Sequence, residues 1–240
     1  MNISSWYSSL YRLALDALFP SRCVSCKKEG SFLCDECFSK HTHPGQWYCP
    51  HCKKRIPASA DMHCSANCKK HSKIEAVFSI GYYADPALRE LLHIYKFSGV
   101  AEIGALLGKK LAAELANNNA CITAGTLIIP VPLHKKRLRS RGFNQAEILA
   151  QHIAEKLNLP LEKGIIVKTK RTPPQSGIDD HDQRKDNVAG VFAVHSPASI
   201  QKKNVLLVDD IFTSGATMNE CARVLKDAEA HTIYGIVIAR

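Results

Sequence analysis

Two groups of residues in this chain have the types and spacing to do chemistry. The first is a set of eight cysteines, out of ten in all, that fall between residues 23 and 68 as four close pairs: Cys23/Cys26, Cys34/Cys37, Cys49/Cys52 and Cys64/Cys68. Two thiolates separated by two residues offer two corners of a tetrahedron, so two such turns complete a closed structural zinc site. One pair would be a weak signal. Three Cys-x-x-Cys pairs and one Cys-x-x-x-Cys within 46 residues point to two zinc ions. A redox dithiol would come as a single pair, and an oxidised scaffold would space its cysteines irregularly. Sequential pairing gives Cys23/Cys26/Cys34/Cys37 and Cys49/Cys52/Cys64/Cys68; a cross-braced arrangement would join the first pair to the third. His63 and His71 flank the fourth pair, where an imidazole could replace a thiolate, while His41, His43 and His51 read as solvated bystanders. Cys121 and Cys221, far from the pairs, read as buried core thiols.

The second group is VLLVDDIFTSGAT, residues 205–217: an apolar run, two adjacent acids, then small, hydroxylic and glycine residues. Three chemistries use acids at the end of a buried strand. A nucleotidase would need GxxxxGK[ST] elsewhere, but GALLGKKL (104–111) sets its glycines one residue too close and has Lys110 where Ser or Thr belongs. A phosphorelay receiver would need roughly another hundred residues after the strand, and 30 follow Asp210. The third is a sugar-phosphate pocket. Two carboxylates at a fraying strand end suit two vicinal hydroxyls. Thr213, Ser214, Gly215, Ala216 and Thr217 then offer hydroxyls, backbone N–H groups and a helix N-terminus to an anion.

The elements that must position these groups can be read from periodicity and caps. AVFSIGYY (76–83) reads as a strand, and Asp85-Pro86 supplies an N-cap and first-turn proline for a helix with Leu88, Leu91, Leu92 and Tyr95 on one face. A second helix runs from Val100 to about Ala116. TLIIPVPL (126–133) is a buried strand, HKKRLRSRG (134–142) a strongly basic turn, and 144–157 a helix. GIIVKT (164–169), VFAVH and NVLLVD are strands, Asn219 to Ala228 a helix, and TIYGIVIA (232–239) a strand. Residues 170–189 form a long polar loop of the kind that is usually functional. Strands alternating with helices from residue 76 onward argue for an α/β fold, a mostly parallel sheet covered on both faces.

The division expected is an amphipathic helix over 1–20, a zinc-ribbon-like region over 21–72 and the α/β domain over 73–240. The first stretch carries Arg12 and Asp16 and has no basic lead, which makes it a poor signal peptide, and no apolar run approaches the roughly 20 residues of a membrane span. Both points favour the cytoplasm. The formal charge is +10, split evenly at residue 75, and two zinc ions on eight thiolates would lower it to about +6. The remaining basic excess lies in the α/β part and favours an anionic ligand or nucleic acid. Lys135, Lys136, Arg137, Arg139 and Arg141 place five cations in seven residues after a strand, with only Phe143 as an aromatic neighbour, so base stacking is not signalled.

VLLVDDIFTSGAT resembles the motif with which type I phosphoribosyltransferases bind 5-phosphoribosyl-1-pyrophosphate (PRPP). That resemblance implies that Asp209 and Asp210 bind the ribose 2′ and 3′ hydroxyls, that residues 213–217 hold the 5′-phosphate, and that Mg²⁺ accompanies the pyrophosphate. It also places the pyrophosphate loop near Val131–Lys135, with Lys135, Lys136 and Arg137 as candidate anion ligands. Four cysteine pairs followed by LRELLHIYKFSG (88–99), IIPVPLHKKRLRSRGFNQAEILA (128–150) and PPQSGIDDHDQRKDNVAGVFAV (173–194) are similar to the ComF family of competence-associated proteins. This second resemblance implies a type I phosphoribosyltransferase fold behind a zinc-ribbon-like region, and a link to uptake of transforming DNA. By the same pattern Gln175, Arg184, Asn187 and Lys96 are candidate site residues. Two functions then compete: a transferase passing phosphoribose to a nitrogen acceptor, and a nucleic-acid-associated competence factor that binds PRPP without turnover.

Overall fold

A computed structural model describes residues 21–59, 62, 64–169 and 190–240. The expected helix over 1–20, His63, and the segment 170–189 with Gln175, Arg184 and Asn187 lie outside the described residues. In chain order the elements are α1 (Asp35–His41), β1 (Gln46–Tyr48), β2 (Arg55–Ile56), α2 (Ala66–Lys70), β3 (Val77–Ser79), α3 (Pro86–Phe97), α4 (Ala101–Ala116) and β4 (Leu127–Pro130). They continue as α5 (Lys135–Arg141), α6 (Gln145–Leu157), β5 (Ile166–Lys168), β6 (Phe192–Val194), β7 (Val205–Val208), α7 (Ala216–Asp227) and β8 (Ile233–Ile236).

The central strands are apolar on both faces because both faces are covered. Along β7, Leu206 and Val208 face α3, α4 and α6, packing with Leu88, Leu111, Leu149 and Ile153. Val205 and Leu207 face the other way, toward Met218, Cys221, Ala222 and Leu225 of α7 and toward Ile166 and Phe192 of β5 and β6. The strand order is β2-β1-β3-β8-β7-β4. The last four run parallel, and β1 and β2 add to them antiparallel.

The sheet therefore crosses from the cysteine-rich region into the α/β region. Gln46, Trp47 and Tyr48 pair with Ser79, Phe78 and Val77. Trp47 is 1% exposed, its ring 5.1 Å from Phe78 and 5.6 Å from Tyr234, and its indole N–H donates to the Asn118 carbonyl at 3.0 Å.

Three expectations change. The basic stretch is a helix rather than a turn: His134 caps α5 by accepting the Lys136 N–H, and Gly142 ends it at φ +81°. β5 and β6 leave the parallel sheet and pair with each other antiparallel, packing on α7. α7 begins at Ala216, three residues before its expected start, so its N-terminus directly follows the TSG turn.

Candidate functional site

The acid pair sits where β7 ends. The Asp209 N–H bonds the Ile236 carbonyl, and the Asp210 carbonyl accepts from Ile238 and Ala239, so both acids are anchored to the continuation of β8. Asp209 Oδ1 accepts the Asp210 N–H at 2.9 Å. Asp210 is 6% exposed, and Lys96 at the end of α3 pairs with it at 3.1 Å. Burial, reinforced by the neighbouring Asp210 charge, pushes the Asp209 carboxyl up to about 7, against the pull of Lys96.

The turn that follows is built around one glycine. Gly215 has φ +76°, and an added Cβ would fall 2.4 Å from the Phe212 ring, so only glycine fits. Ala216 N–H reaches Ser214 Oγ at 3.3 Å. Gly215, as N-cap, supplies no side-chain acceptor of its own, and the positive end of this 12-residue helix points from the turn.

Acids and turn open on one cleft of about 1060 Å³. Asp209, Asp210 and Thr213–Thr217 form one wall, and Val131–Leu133 and Arg137 the second. Arg89, Glu90, His93, Lys96 and Phe97, on the face of α3 opposite its leucines, form the third. Arg141 and Lys168 also line it. Asn144 caps α6 and bonds the Val131 carbonyl at 3.1 Å, tying strand end to helix. The buried Tyr95 hydroxyl donates to the Gln145 carbonyl at 2.9 Å, and Arg141 donates to Gln145 Oε1 at 3.1 Å. Burial pulls the Arg141 guanidinium below its usual range while the two acids oppose that; burial and Arg137 lower Lys168 likewise.

Among the expected anion ligands, Arg137 lines the cleft, whereas Lys135 and Lys136 are exposed and outside its lining. Helix formation explains the split, because α5 turns Arg137 and Arg141, one turn apart, toward the cleft and leaves Lys135, Lys136 and Arg139 exposed. Lys96, a weaker sequence candidate, contacts Asp210. Lys168 and Arg89 were not found by sequence reasoning: each is a lone cation, and the available signal was only the polar face of α3 for Arg89.

The eight cysteines gather as Cys23/Cys26/Cys34/Cys37 and Cys49/Cys52/Cys64/Cys68, the sulfurs of each set all within 4.8 Å of one another. Tetrahedral Zn–S bonds place sulfurs about 3.8 Å apart, so both sets fit a structural zinc ion. In the second set the Lys54 N–H holds the Cys52 thiol down to about 7. Cys64, 3.3 Å away, is pushed up to about 12 by its hydrogen bond to Cys52. A dication relieves such crowding by displacing the protons. His71 stacks on His51 at 4.3 Å rather than joining the set. His41 and His43 are not solvated bystanders. His41 bridges Ser25 Oγ (2.8 Å) and Asp85 Oδ2 (2.9 Å), and burial lowers the His43 imidazole below its ordinary range.

Comparison with known proteins agrees with both halves. Residues 14–69 match a double zinc ribbon domain, and residues 140–240 a phosphoribosyl transferase domain. Competence protein F of Haemophilus influenzae is 31% identical over 232 residues, covering 92% of this chain and 98% of that protein. DNA utilization protein YhgH of Escherichia coli K12 is 29% identical over 80% of this chain and 83% of its own. Competence protein ComFC of Streptococcus pneumoniae is 28% identical over 89% and 90%. A solved hypoxanthine-guanine phosphoribosyl transferase from L. donovani overlaps 57% of this chain and 67% of its own at 15% identity and a TM-score of 0.36. The fold assignment rests on the domain matches and the sheet, not on that superposition. With near-complete coverage of a curated relative, two zinc-ready cysteine sets and a phosphoribosyltransferase domain behind them, the chain belongs to the ComF family.

Proposed function

We propose that the cleft binds PRPP with Mg²⁺ and transfers its phosphoribosyl group to a nitrogen acceptor, releasing pyrophosphate. The observation that supports this reading is the convergence of three features in one cleft: an acid pair, a glycine turn leading into an uncapped helix, and the cations Lys96, Arg137, Arg141 and Lys168. Asp209 and Asp210 accept the two ribose hydroxyls, and residues 213–217 take the 5′-phosphate. Mg²⁺ bound with the pyrophosphate would neutralise charge on the leaving group beside Arg137 and Lys168. Two carboxylates would repel a polyanionic donor; the Lys96 ammonium, 3.1 Å from Asp210, reduces that repulsion. As positive charge develops on the ribose ring, the same carboxylates stabilise it without a covalent intermediate. The α3 wall, with Arg89, Glu90, His93 and Phe97, stands where an acceptor would enter.

Eight thiolates that must stay reduced to bind zinc favour the cytoplasm as the compartment. No helix among the described residues is long and apolar enough to cross a membrane. The relatives are named competence and DNA utilization proteins, which favours a setting in DNA uptake or nucleotide metabolism for this chain. Exposed Lys135, Lys136 and Arg139 offer phosphate-binding cations outside the cleft for DNA or a DNA-handling partner.

Calorimetric titration with PRPP and Mg²⁺ tests the assignment. Asp209→Asn/Asp210→Asn should weaken binding at least about a hundredfold, two charge-assisted hydrogen bonds being removed. An unchanged affinity would refute the ribose assignment. Pyrophosphate release across a panel of nitrogen acceptors then separates a transferase from a protein that only binds PRPP.

A further inference from the structure

The second cysteine set touches the turn at residues 213–217 from two sides. Lys53 directly follows Cys52, at φ +64° in the knuckle, where its N–H bonds the Cys49 carbonyl at 3.1 Å. Its ammonium reaches 160 residues along the chain to the Thr213 carbonyl, at 3.3 Å, and lies 4.2 Å over the Phe212 ring. That ring is the one packed against Gly215. From the other knuckle, α2 carries Cys68 and runs into Ser72, whose hydroxyl donates to Asn219 Oδ1 at 2.7 Å. Asn219 in turn gives its N–H to the Gly215 carbonyl at 2.8 Å. One knuckle thus holds the start of the turn and the other holds its end.

The contacts bear on anion binding through backbone geometry. A peptide group is planar and trans, so fixing the Thr213 carbonyl toward Lys53 fixes the Ser214 N–H in the opposite direction. Lys53 also brings a positive charge to the turn from outside the cleft; it is absent from the cleft lining. The two knuckles are tied to each other by the His51–His71 stack and by the four thiolates, whose shared ion would make them one rigid body.

We infer that the second zinc site is a brace for the phosphate-binding turn, with Lys53 as its positioning residue, so that loss of zinc from Cys49/Cys52/Cys64/Cys68 loosens the turn and weakens sugar-phosphate binding. The inference rests on residues 213–217 holding the 5′-phosphate, but its first test needs no ligand. Hydrogen exchange of the full chain is measured for wild type, Lys53→Met, Lys53→Arg and Cys64→Ser, with zinc content determined for each. Lys53→Met should keep two zinc ions, speed exchange across 213–217 about tenfold and leave 127–131 and 233–236 unchanged; Lys53→Arg should restore protection. Cys64→Ser should keep one zinc and loosen the same turn, and Lys53→Met should add little in that background. Unchanged exchange in Lys53→Met, or fully additive effects, would overturn the brace. Titration with ribose 5-phosphate and with PRPP·Mg²⁺ follows, with about tenfold weaker binding expected for Lys53→Met. If the turn responds but wild type binds neither, the brace stands and the ligand assignment fails; if wild type binds both and Lys53→Met binds equally well, the brace fails alone.

Discussion

The two cysteine sets use the same four-thiolate chemistry but are tied to the rest of the protein through different elements. The first keeps Cys23 and Cys37 buried and reaches outward through a relay of side chains: Ser25, between two of its cysteines, bonds His41, and His41 bonds Asp85. Asp85 is the N-cap of α3, its other oxygen accepting the Leu88 N–H at 2.9 Å. Burial works against its charge, yet the Leu88 N–H and His41 together hold its carboxyl below the usual range. The second set leaves Cys52 and Cys64 exposed and reaches the glycine turn at both ends. One set therefore holds the helix whose far end carries Lys96, and the other holds the opposite wall. Zinc ligation in this molecule supports a cleft it does not itself line.

The largest expected effect separates the two sets. Cys37→Ser removes a buried ligand and should lower Tm more than Cys64→Ser, whose thiol is exposed; both should drop from two zinc ions to one by mass spectrometry. Structural zinc contributes about 10 kcal/mol or more to small zinc domains, so the difference should be plain in a melting scan. Equal melting losses would mean that the burial of Cys37 against the exposure of Cys64 does not set how much each site stabilises the fold.

A smaller effect tests the relay. His41→Ala removes a bridge between two partly buried partners and should cost about 1–3 kcal/mol. Exchange should rise at residues 86–90 and not at 213–217. A response in the glycine turn would mean that the sets are not separately wired.

The last effect is read against pH and concerns Asp209, which neither set contacts. Its ordinary value near 3.8 rises to about 7 in the fold. Below pH 4 both folded and unfolded states carry the proton; from about 4 to 7 the unfolded chain loses it first, so stability falls as pH rises and then levels off. Asp209→Asn should therefore melt several degrees higher than wild type at pH 8, at about 2–4 °C per kcal/mol relieved. PRPP affinity should rise between pH 6 and 8 by no more than about tenfold per unit, as Asp209 ionises. The donor's own phosphates titrate near 6, so the measured quantity is the slope that Asp209→Asn loses.

What was legible in the sequence is local. The four cysteine pairs, the acid pair with its glycine turn, and the cap Asp85 each carry their reason within a few residues, and the elements begin or end there. The basic stretch was misread because Pro132 before it and Gly142 after it suggest a turn, whereas arginine and lysine are good helix formers once His134 supplies a cap. β5 and β6 carry apolar runs indistinguishable from central strands; only their pairing partner differs. Lys53, Lys168 and His41 escaped because their partners lie far away in sequence, and a lone polar residue carries no period.

The strand order has a further consequence, for how the chain is made. β3 is an early strand, but its parallel neighbour β8 arrives about 160 residues later, as the pairing of Val77 with Gly235 requires. As the chain emerges from the ribosome, the cysteine-rich region can form its turns and take up metal while β3 still shows a bare edge on one side. β1 and β2 cover the other edge in the meantime. Paired with β1, β3 would then present one unpaired edge rather than two until the sheet closes.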